Sequence, residues 1–312
     1  MLTKRWCLKV HRSEGEETRK RLLEEGLLDR LCRIRSEGDY LLIPVVRSIE
    51  GVVCQEFACV PEKKELPRFE QVGGIAIMQD DDPSGAADIL ASKKTYHTVL
   101  FAESAVEGPF RTKKFKVLAG KDTTATEYIE YGHHFSIDLA LAYFSARLSG
   151  ERQRILSLMH DGERVIDMFA GVGPFAITLA EKASVVYAGD INPEAVILMV
   201  RNIARNHLTN VVPILSDAIN LPDIITNPAD RIIMNLPLHS IPFLTAAFRM
   251  TKPGGMIHLY ALVSRQDEYL DTLRSFPAEK VEYQYVRSYS PDRFHVVYDI
   301  VRGEGELDLI TP

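Results

Sequence analysis

The sequence predicts an α/β protein: a domain with a central parallel-type sheet, preceded by a middle α+β domain and a small N-terminal α+β domain. Three observations carry this reading. From Glu163 onward, apolar runs of strand length alternate with segments of helical period, the pattern of a parallel sheet covered by helices on both faces. The first strand of that run ends in a turn holding Gly171 and Gly173, at the edge where open sheets bind their ligands. The chain's 312 residues exceed one typical core, so further domains are expected.

In chain order, 18–31 carries leucines at 22, 23, 27, 28 and 31 and reads as a helix, while 40–46 and 52–60 read as strands. These make a first domain, 1–60. The charged, proline-bounded run PEKKELPRFE at 61–70 reads as a linker. A middle domain, 71–150, follows, with strands at 73–78 and 98–102, a hairpin formed by 115–119 and 126–131 around the Gly-Lys-Asp turn at 120–122, and a helix beginning at 138–147. The last domain is 151–312. Its expected strands are 165–169, 185–189, 211–215, 231–234, 256–263 and 295–301, and its helices 174–182, 193–207 and 243–250. Asn192 caps the second of these helices and Pro193 takes its first position. Its apolar face is Val196, Met199, Val200 and Ile203.

Apolar residues at 46% and charged residues at 26% exclude bulk disorder. No apolar run approaches a membrane span, and the N-terminus turns charged too early for a signal peptide. A cytoplasmic protein that engages no membrane is expected. Cys7, Cys32, Cys54 and Cys59 lack the tight pairing of zinc sites, so no metal is expected and the thiols read as core cysteines of a reducing compartment. A net charge of −6 speaks against nucleic acid. Locally, however, FRTKKFKVLAGK at 110–121 holds Arg111, Lys113, Lys114, Lys116 and Lys121 with no acid. That stretch fits either a docked polyanion or a solvated strand face.

The turn after the first strand of the last domain, DMFAGVGPF at 167–175, fits the dinucleotide fingerprint loosely. Two residues favour another ligand. Asp167 would repel a diphosphate, whereas it would attract the ammonium and sulfonium of S-adenosylmethionine. Pro174 removes an amide that a diphosphate would use. The second strand ends in Asp190, about twenty residues on, where an acid takes ribose hydroxyls. The third ends in Asp217, an acceptor for an adenine amino group, and the fourth in Asn235-Leu236-Pro237. Taken singly, each of these is a turn or cap residue; three acids at three successive strand ends form a pattern.

These motifs, DMFAGVGPF (167–175), DINPEAV (190–196), LSDA (215–218) and NLP (235–237), together with PFRTKKFKVLAG (109–120), TEYIEYG (126–132) and AYFSARLSGERQRI (142–155), resemble the archaeal and eukaryotic type of tRNA (guanine-37 N1)-methyltransferase. The resemblance spans roughly residues 70–300, and the first domain more loosely resembles that family's tRNA-contacting domain. It implies a class I Rossmann-like methyltransferase domain, S-adenosylmethionine as cofactor, a monomer, and tRNA with guanine at position 37 as partner. It further implies Arg111 as the catalytic arginine, Glu151 as general base and Asn235 as the residue holding the base. The implied donor pocket comprises Tyr143, Asp167, Phe169, Gly171, Gly173, Asp190, Ile191, Asp217, Asn235 and Pro237. The implied RNA contacts are Arg111, Lys113, Lys114, Arg147, Arg152 and Asn235. Without the resemblance, Glu151-Arg152 reads as a surface ion pair and Arg111 as a solvated charge.

Guanine N1 carries a proton at neutral pH, so its methylation needs a base near N1 and a cation or strong donor where charge grows on O6. Glu151 and Arg111 have the right chemistry. Two further enzymes on the same tRNA position, a methyltransferase of a wyosine precursor and an aminocarboxypropyltransferase, are rivals, as is a silent tRNA-binding protein. The Asn-Leu-Pro segment favours methyl transfer over the aminocarboxypropyl reaction, and the intact acids argue against a silent binder.

Overall fold

A computed structural model of the chain describes residues 2–60, 65–105 and 107–305. Residues 61–64 of the expected linker and 306–312 of the expected last domain lie outside the described residues. Two compact units divide the chain after Glu65, so the segments read as 71–150 and 151–312 fall together in the second.

The first unit comprises β1 (Leu2–His11), α1 (Gly15–Glu24), β2 (Arg35–Glu37), β3 (Tyr40–Val45) and β4 (Val52–Ala58), its strands ordered β2-β3-β1-β4. The sequence reading had no counterpart of β1, whose only buried side chain is Cys7. The helix expected to reach Leu31 stops at Glu24. The amides of Leu27 and Leu28 both return to the Leu22 carbonyl, at 2.8 and 3.0 Å, which closes the helix with its own last carbonyls. Cys32 and Cys59 form a disulfide, which corrects the reading of four free thiols. They are direct partners across an antiparallel bridge, close enough for their Cβ atoms to be linked. Cys7 is a buried thiol and Cys54 an exposed one.

The second unit opens with β5 (Phe69–Val72), β6 (Ile75–Met78), α2 (Pro83–Ser92), β7 (Thr98–Ala102) and β8 (Phe115–Gly120), a sheet ordered β5-β6-β7-β8. Then come β9 (Ala125–Glu130) and β10 (His133–Asp138). The expected hairpin of 115–119 with 126–131 does not form: β8 pairs with β7, and β9 pairs with β10. The two-residue turn Tyr131-Gly132 explains the choice. Both residues have positive φ, 46° and 87°, the conformation whose twist matches that of the flanking strands. The helix expected from 138 is also absent. The Asp138 carboxylate takes the Thr124 hydroxyl and the Ala140 amide, making a turn, and only a single 3-10 turn at Ala146–Leu148 precedes α3 (Ser149–Leu158).

Beyond α3 lie β11 (Glu163–Asp167), α4 (Pro174–Leu179), β12 (Ala183–Asp190), α5 (Pro193–Arg205), β13 (Val211–Leu215), α6 (Leu221–Ile224), β14 (Ala229–Met234), α7 (Leu244–Met250), β15 (Thr251–Val263), α8 (Leu270–Arg274), β16 (Ala278–Ser290) and β17 (Arg293–Arg302). The sheet is ordered β13-β12-β11-β14-β15-β17-β16. The first five strands are parallel, and β17 and β16 add an antiparallel hairpin. Successive residues of β11 enter opposite layers, Val165 with Phe175 and Leu179, Ile166 with Leu244 and Phe248, as the two-residue period of a doubly covered strand requires.

The buried face of α5 is Ala195, Leu198, Met199, Asn202 and Ile203. Val200, expected inside, is 47% exposed. Val196 packs against the core, and a side-chain amide takes the inner position beside Met199 and Ile203. The Asn202 side chain accepts from the Ser136 amide at 2.7 Å and donates to the carbonyls of Ser136 and Val172. One turn on, Asn206 makes the same two-way contact with the backbone of His134. These two amides satisfy the outer edge of β10, which docks the hairpin onto the sheet domain.

Candidate active site

Two cavities lie at the carboxyl ends of the parallel strands. The first, of about 350 Å³, is lined by 168–171 after β11, Asp190 and Ile191 after β12, Asp217 and Ala218 after β13, and Asn235 and Leu236 after β14. The second, of about 190 Å³, carries Arg111, Lys113, Arg147 and Arg287 with Pro237, Tyr289 and His295. Arg111, Tyr143, Phe144, Ser145, Leu148 and Asn235 line both.

The loop after β11 is shaped by backbone contacts. Gly173 has φ 90°, and a Cβ there would lie 3.0 Å from Met199 Cγ, so only glycine lets the loop close on α5. Gly173 itself lines neither cavity. The Gly171 amide donates to one Asp190 oxygen at 2.7 Å and the Asn192 amide to the other at 2.8 Å. Each oxygen keeps a lone pair for a further donor, such as a hydroxyl. Burial raises the Asp190 pKa against these amide bonds. Asp167 does not line the cavity, which corrects its expected contact with the donor. It lies wholly buried beneath the loop and accepts from the Phe169 amide at 3.4 Å, and its Oδ2 has no partner. Burial, with a smaller push from Asp190, raises its pKa to about 7.

The first cavity suits S-adenosylmethionine by its acceptors and its shape. Asp190 offers acceptors to ribose hydroxyls. Asp217, which also caps the Ile219 amide at 3.0 Å, offers one to an adenine amino group. Phe169, edge-on to Phe243 at 5.1 Å between ring centroids, and Ile191 supply apolar walls for a flat ring. The volume is of the size that holds a small organic ligand, and the cationic side chains Arg111 and Arg152 are the only ones among the described lining residues. A diphosphate would find few partners here.

Arg111 is a non-glycine residue with φ 54°, a conformation retained mostly where a site needs it. It lies in a tight turn closed by the Glu107–Thr112 bridge, its own amide bonded to the Gly108 carbonyl at 3.2 Å. The turn sets its guanidinium 5.1 Å above the Tyr143 ring. Desolvation lowers its pKa, and an arginine stays cationic under such a shift.

Several expected residues are placed elsewhere. The Glu151 carboxylate is outside both cavities, accepting from the Tyr260 hydroxyl and from Arg154, each at 3.0 Å. Arg152, expected on RNA, is 1% exposed. Its guanidinium holds both oxygens of Glu130 at 2.6 Å, which leaves it no fork for a phosphate. Lys114 is exposed and lines neither cavity, and Pro237 lines the second rather than the first. Lys113 and Arg147 do line the second, Arg147 paired with Glu70 at 3.1 Å. The sequence reading missed Arg287 and His295. The Pro-Asp pair at 291–292 between two tyrosine- and valine-rich runs is a hairpin signal that could have found them.

An open sheet of this order, with acids at the ends of its first three strands and a phosphate-free nucleoside cavity, defines a Rossmann-like methyltransferase that uses S-adenosylmethionine. Sequence comparison narrows the class. Residues 126–286 match the family described as TRM5/TYW2 methyltransferase domain, and residues 7–53 match the tRNA methyltransferase 5 N-terminal domain. The chain belongs to the TRM5/TYW2 methyltransferase family. It is 38% identical to the tRNA (guanine(37)-N(1))-methyltransferase Trm5b of Pyrococcus abyssi, over 94% of this chain and 98% of that protein. It is 32% identical to the tRNA(Phe) (4-demethylwyosine(37)-C(7)) aminocarboxypropyltransferase of Methanocaldococcus jannaschii, over 74% of this chain and 96% of that one. A solved complex of aTrm5 with tRNALeu is similar at 30% identity and TM-score 0.74, covering 95% of this chain and 99% of that one.

Proposed function

We propose that this chain methylates N1 of guanine 37 in the tRNA anticodon loop. The observation that carries the reading is the shared wall of the two cavities: Arg111, Tyr143 and Asn235 border the nucleoside cavity on one side and a cationic cavity on the other. Bound in the first, S-adenosylmethionine would supply an electrophilic methyl group. Asp190 and Asp217 hold its ribose and adenine ends. The second cavity receives the flipped base, with Lys113 and Arg147 beside its phosphates. Asn235 offers an acceptor and two donors to the base edge. Arg111 stabilises the charge that grows on O6 as N1 loses its proton.

Glu151 takes that proton. Its carboxylate must first leave Tyr260 and Arg154 for the cavity, a rearrangement that tRNA docking would drive. The working unit is a monomer, since one chain carries every residue named, and the place of work is the cytoplasm. Among the described residues, no helix is long and apolar enough to cross a membrane.

Coverage of relatives favours this reaction over the aminocarboxypropyl transfer. The match to Trm5b takes in 94% of the chain, and that to the aminocarboxypropyltransferase 74%. Residues 7–53 match a Trm5-type first domain. The test is incubation with methyl-labelled donor and tRNA transcripts carrying guanine or adenine at position 37, with the product mass read. A methyl gain on the guanine transcript alone is expected. Transfer of the amino-acid chain instead, or no transfer, overturns the proposal.

A further inference from the structure

Two buried side-chain nitrogens in the second cavity's lining residues have no hydrogen-bond partner: Nε of Arg287 and Nε2 of His295. Arg287 and His295 are direct register partners on β16 and β17, beside a bulge between Tyr285 and Arg287. Bulges next to sites re-aim side chains. His295 is 3% exposed, and an unsatisfied polar group this deep in a native site calls for an explanation such as an absent ligand.

The chemistry around the pair says which ligand group fits. Arg111, Lys113, Arg147 and Arg287 give the cavity many donors. Acceptors are scarcer, and the Glu70 carboxylate is already tied to Arg147 at 3.1 Å. Burial first, then Arg287 and Arg111, lowers the His295 pKa to about 4, so the ring is neutral at physiological pH and keeps one unprotonated nitrogen. The neighbouring cations disfavour a second proton on the ring, which leaves the lone pair free to accept from a ligand. A guanine edge presents O6 as acceptor and N1–H and the N2 amino group as donors. With Arg111 at O6, the amino group is left to be matched.

We propose that His295 is a specificity-determining contact of the substrate base: its imidazole accepts a hydrogen bond from the exocyclic amino group of the target guanine, while Arg287 across the hairpin donates to the same nucleotide. The assignment rests on the reading that the second cavity receives the target base.

The experiment uses the full chain, S-adenosylmethionine and transcripts carrying guanine or inosine at position 37. Inosine keeps O6 and N1–H and lacks only the amino group. Single-turnover efficiency of the native chain should favour guanine by about tenfold or more, the scale of one buried hydrogen bond. His295→Leu should bring the ratio to within about twofold at unchanged donor affinity, whereas His295→Gln, which keeps an acceptor, should retain most of it. Equal rates on the two transcripts with the native chain, or a full preference in His295→Leu, would overturn the proposal. Should the leucine variant fail to bind donor, His295→Asn, polar but too short to reach, decides in its place: the preference must fall. A native chain that does not methylate guanine 37 at all overturns the functional reading instead.

Discussion

Replacing Arg152 separates a structural role from the RNA contact its motif implies. Both partners of the Arg152–Glu130 pair are almost fully buried, with side chains 1% and 3% exposed, and both guanidinium bonds are 2.6 Å long. The arginine also lies 6.0 and 5.8 Å from the rings of Phe144 and Phe175. Arg152→Ala leaves the Glu130 carboxylate buried without its partner, a loss of about 3–5 kcal/mol. For a unit of this size each kcal/mol moves Tm by about 2–4 °C, so the variant should melt about 6–20 °C lower. Removing both charges with Glu130→Gln and Arg152→Met should recover much of that loss, because an apolar or neutral pair of similar volume avoids the unpaired charge. Thermal unfolding by circular dichroism reads the stability, and tRNA affinity measured well below the lowered Tm reads the contact. A variant that melts within 2 °C of the native chain yet binds tRNA weakly would refute the structural account and restore the RNA contact.

Four further outcomes follow from the site. Arg111→Ala and Glu151→Gln should each slow single-turnover methylation by about 10²-fold or more, and the double variant should lose less than the product of the two; a native rate in Glu151→Gln would assign the proton to another group. Asp190→Ala should weaken donor binding by about 1–3 kcal/mol, and an unchanged calorimetric Kd would contradict the assignment. Asp167 is a carboxyl whose folded pKa is raised to about 7, so the folded state is unpenalised below the unfolded value of about 4, loses stability as the pH rises from there to about 7, and keeps the full loss above it; Asp167→Asn should therefore stabilise the donor-free protein above pH 7, by up to about 4 kcal/mol, and progressively less toward pH 4. Equal melting temperatures of the two proteins at pH 8 would show that the carboxyl is not strained by burial. Removing residues 1–60 should weaken tRNA affinity more than it slows the chemical step at saturating tRNA, and an equal loss in both would mean that the first unit shapes the active site.

The sequence by itself determined the five parallel strands of the sheet and the polar residues at their carboxyl ends, but not β16 or its antiparallel pairing with β17. The reason is that each of these is local: Asp190, Asp217 and Asn235 are read from strand ends, and the strand–helix alternation is written in periods of two and 3.6 residues. The glycines of 171–173 were legible for the same reason, since a tight strand-to-helix turn constrains its own few residues. Misreadings arose where partners distant in sequence decide. The face of α5 is set in part by Asn202 and Asn206 reaching the edge of β10, so a hydrophobic count of the helix alone puts Val200 inside, where it is not. Asp167 and Arg152 have the composition of ligand contacts, yet one is buried beneath a loop and the other is locked to Glu130, and only packing reveals that. Arg287 and His295 become a pair because β16 and β17 lie in register, and the second cavity exists because that hairpin, the 107–112 turn and the segment before α3 converge on one wall. Convergence of segments more than a hundred residues apart leaves no periodic trace in any one of them, which is why the tertiary structure had to supply it.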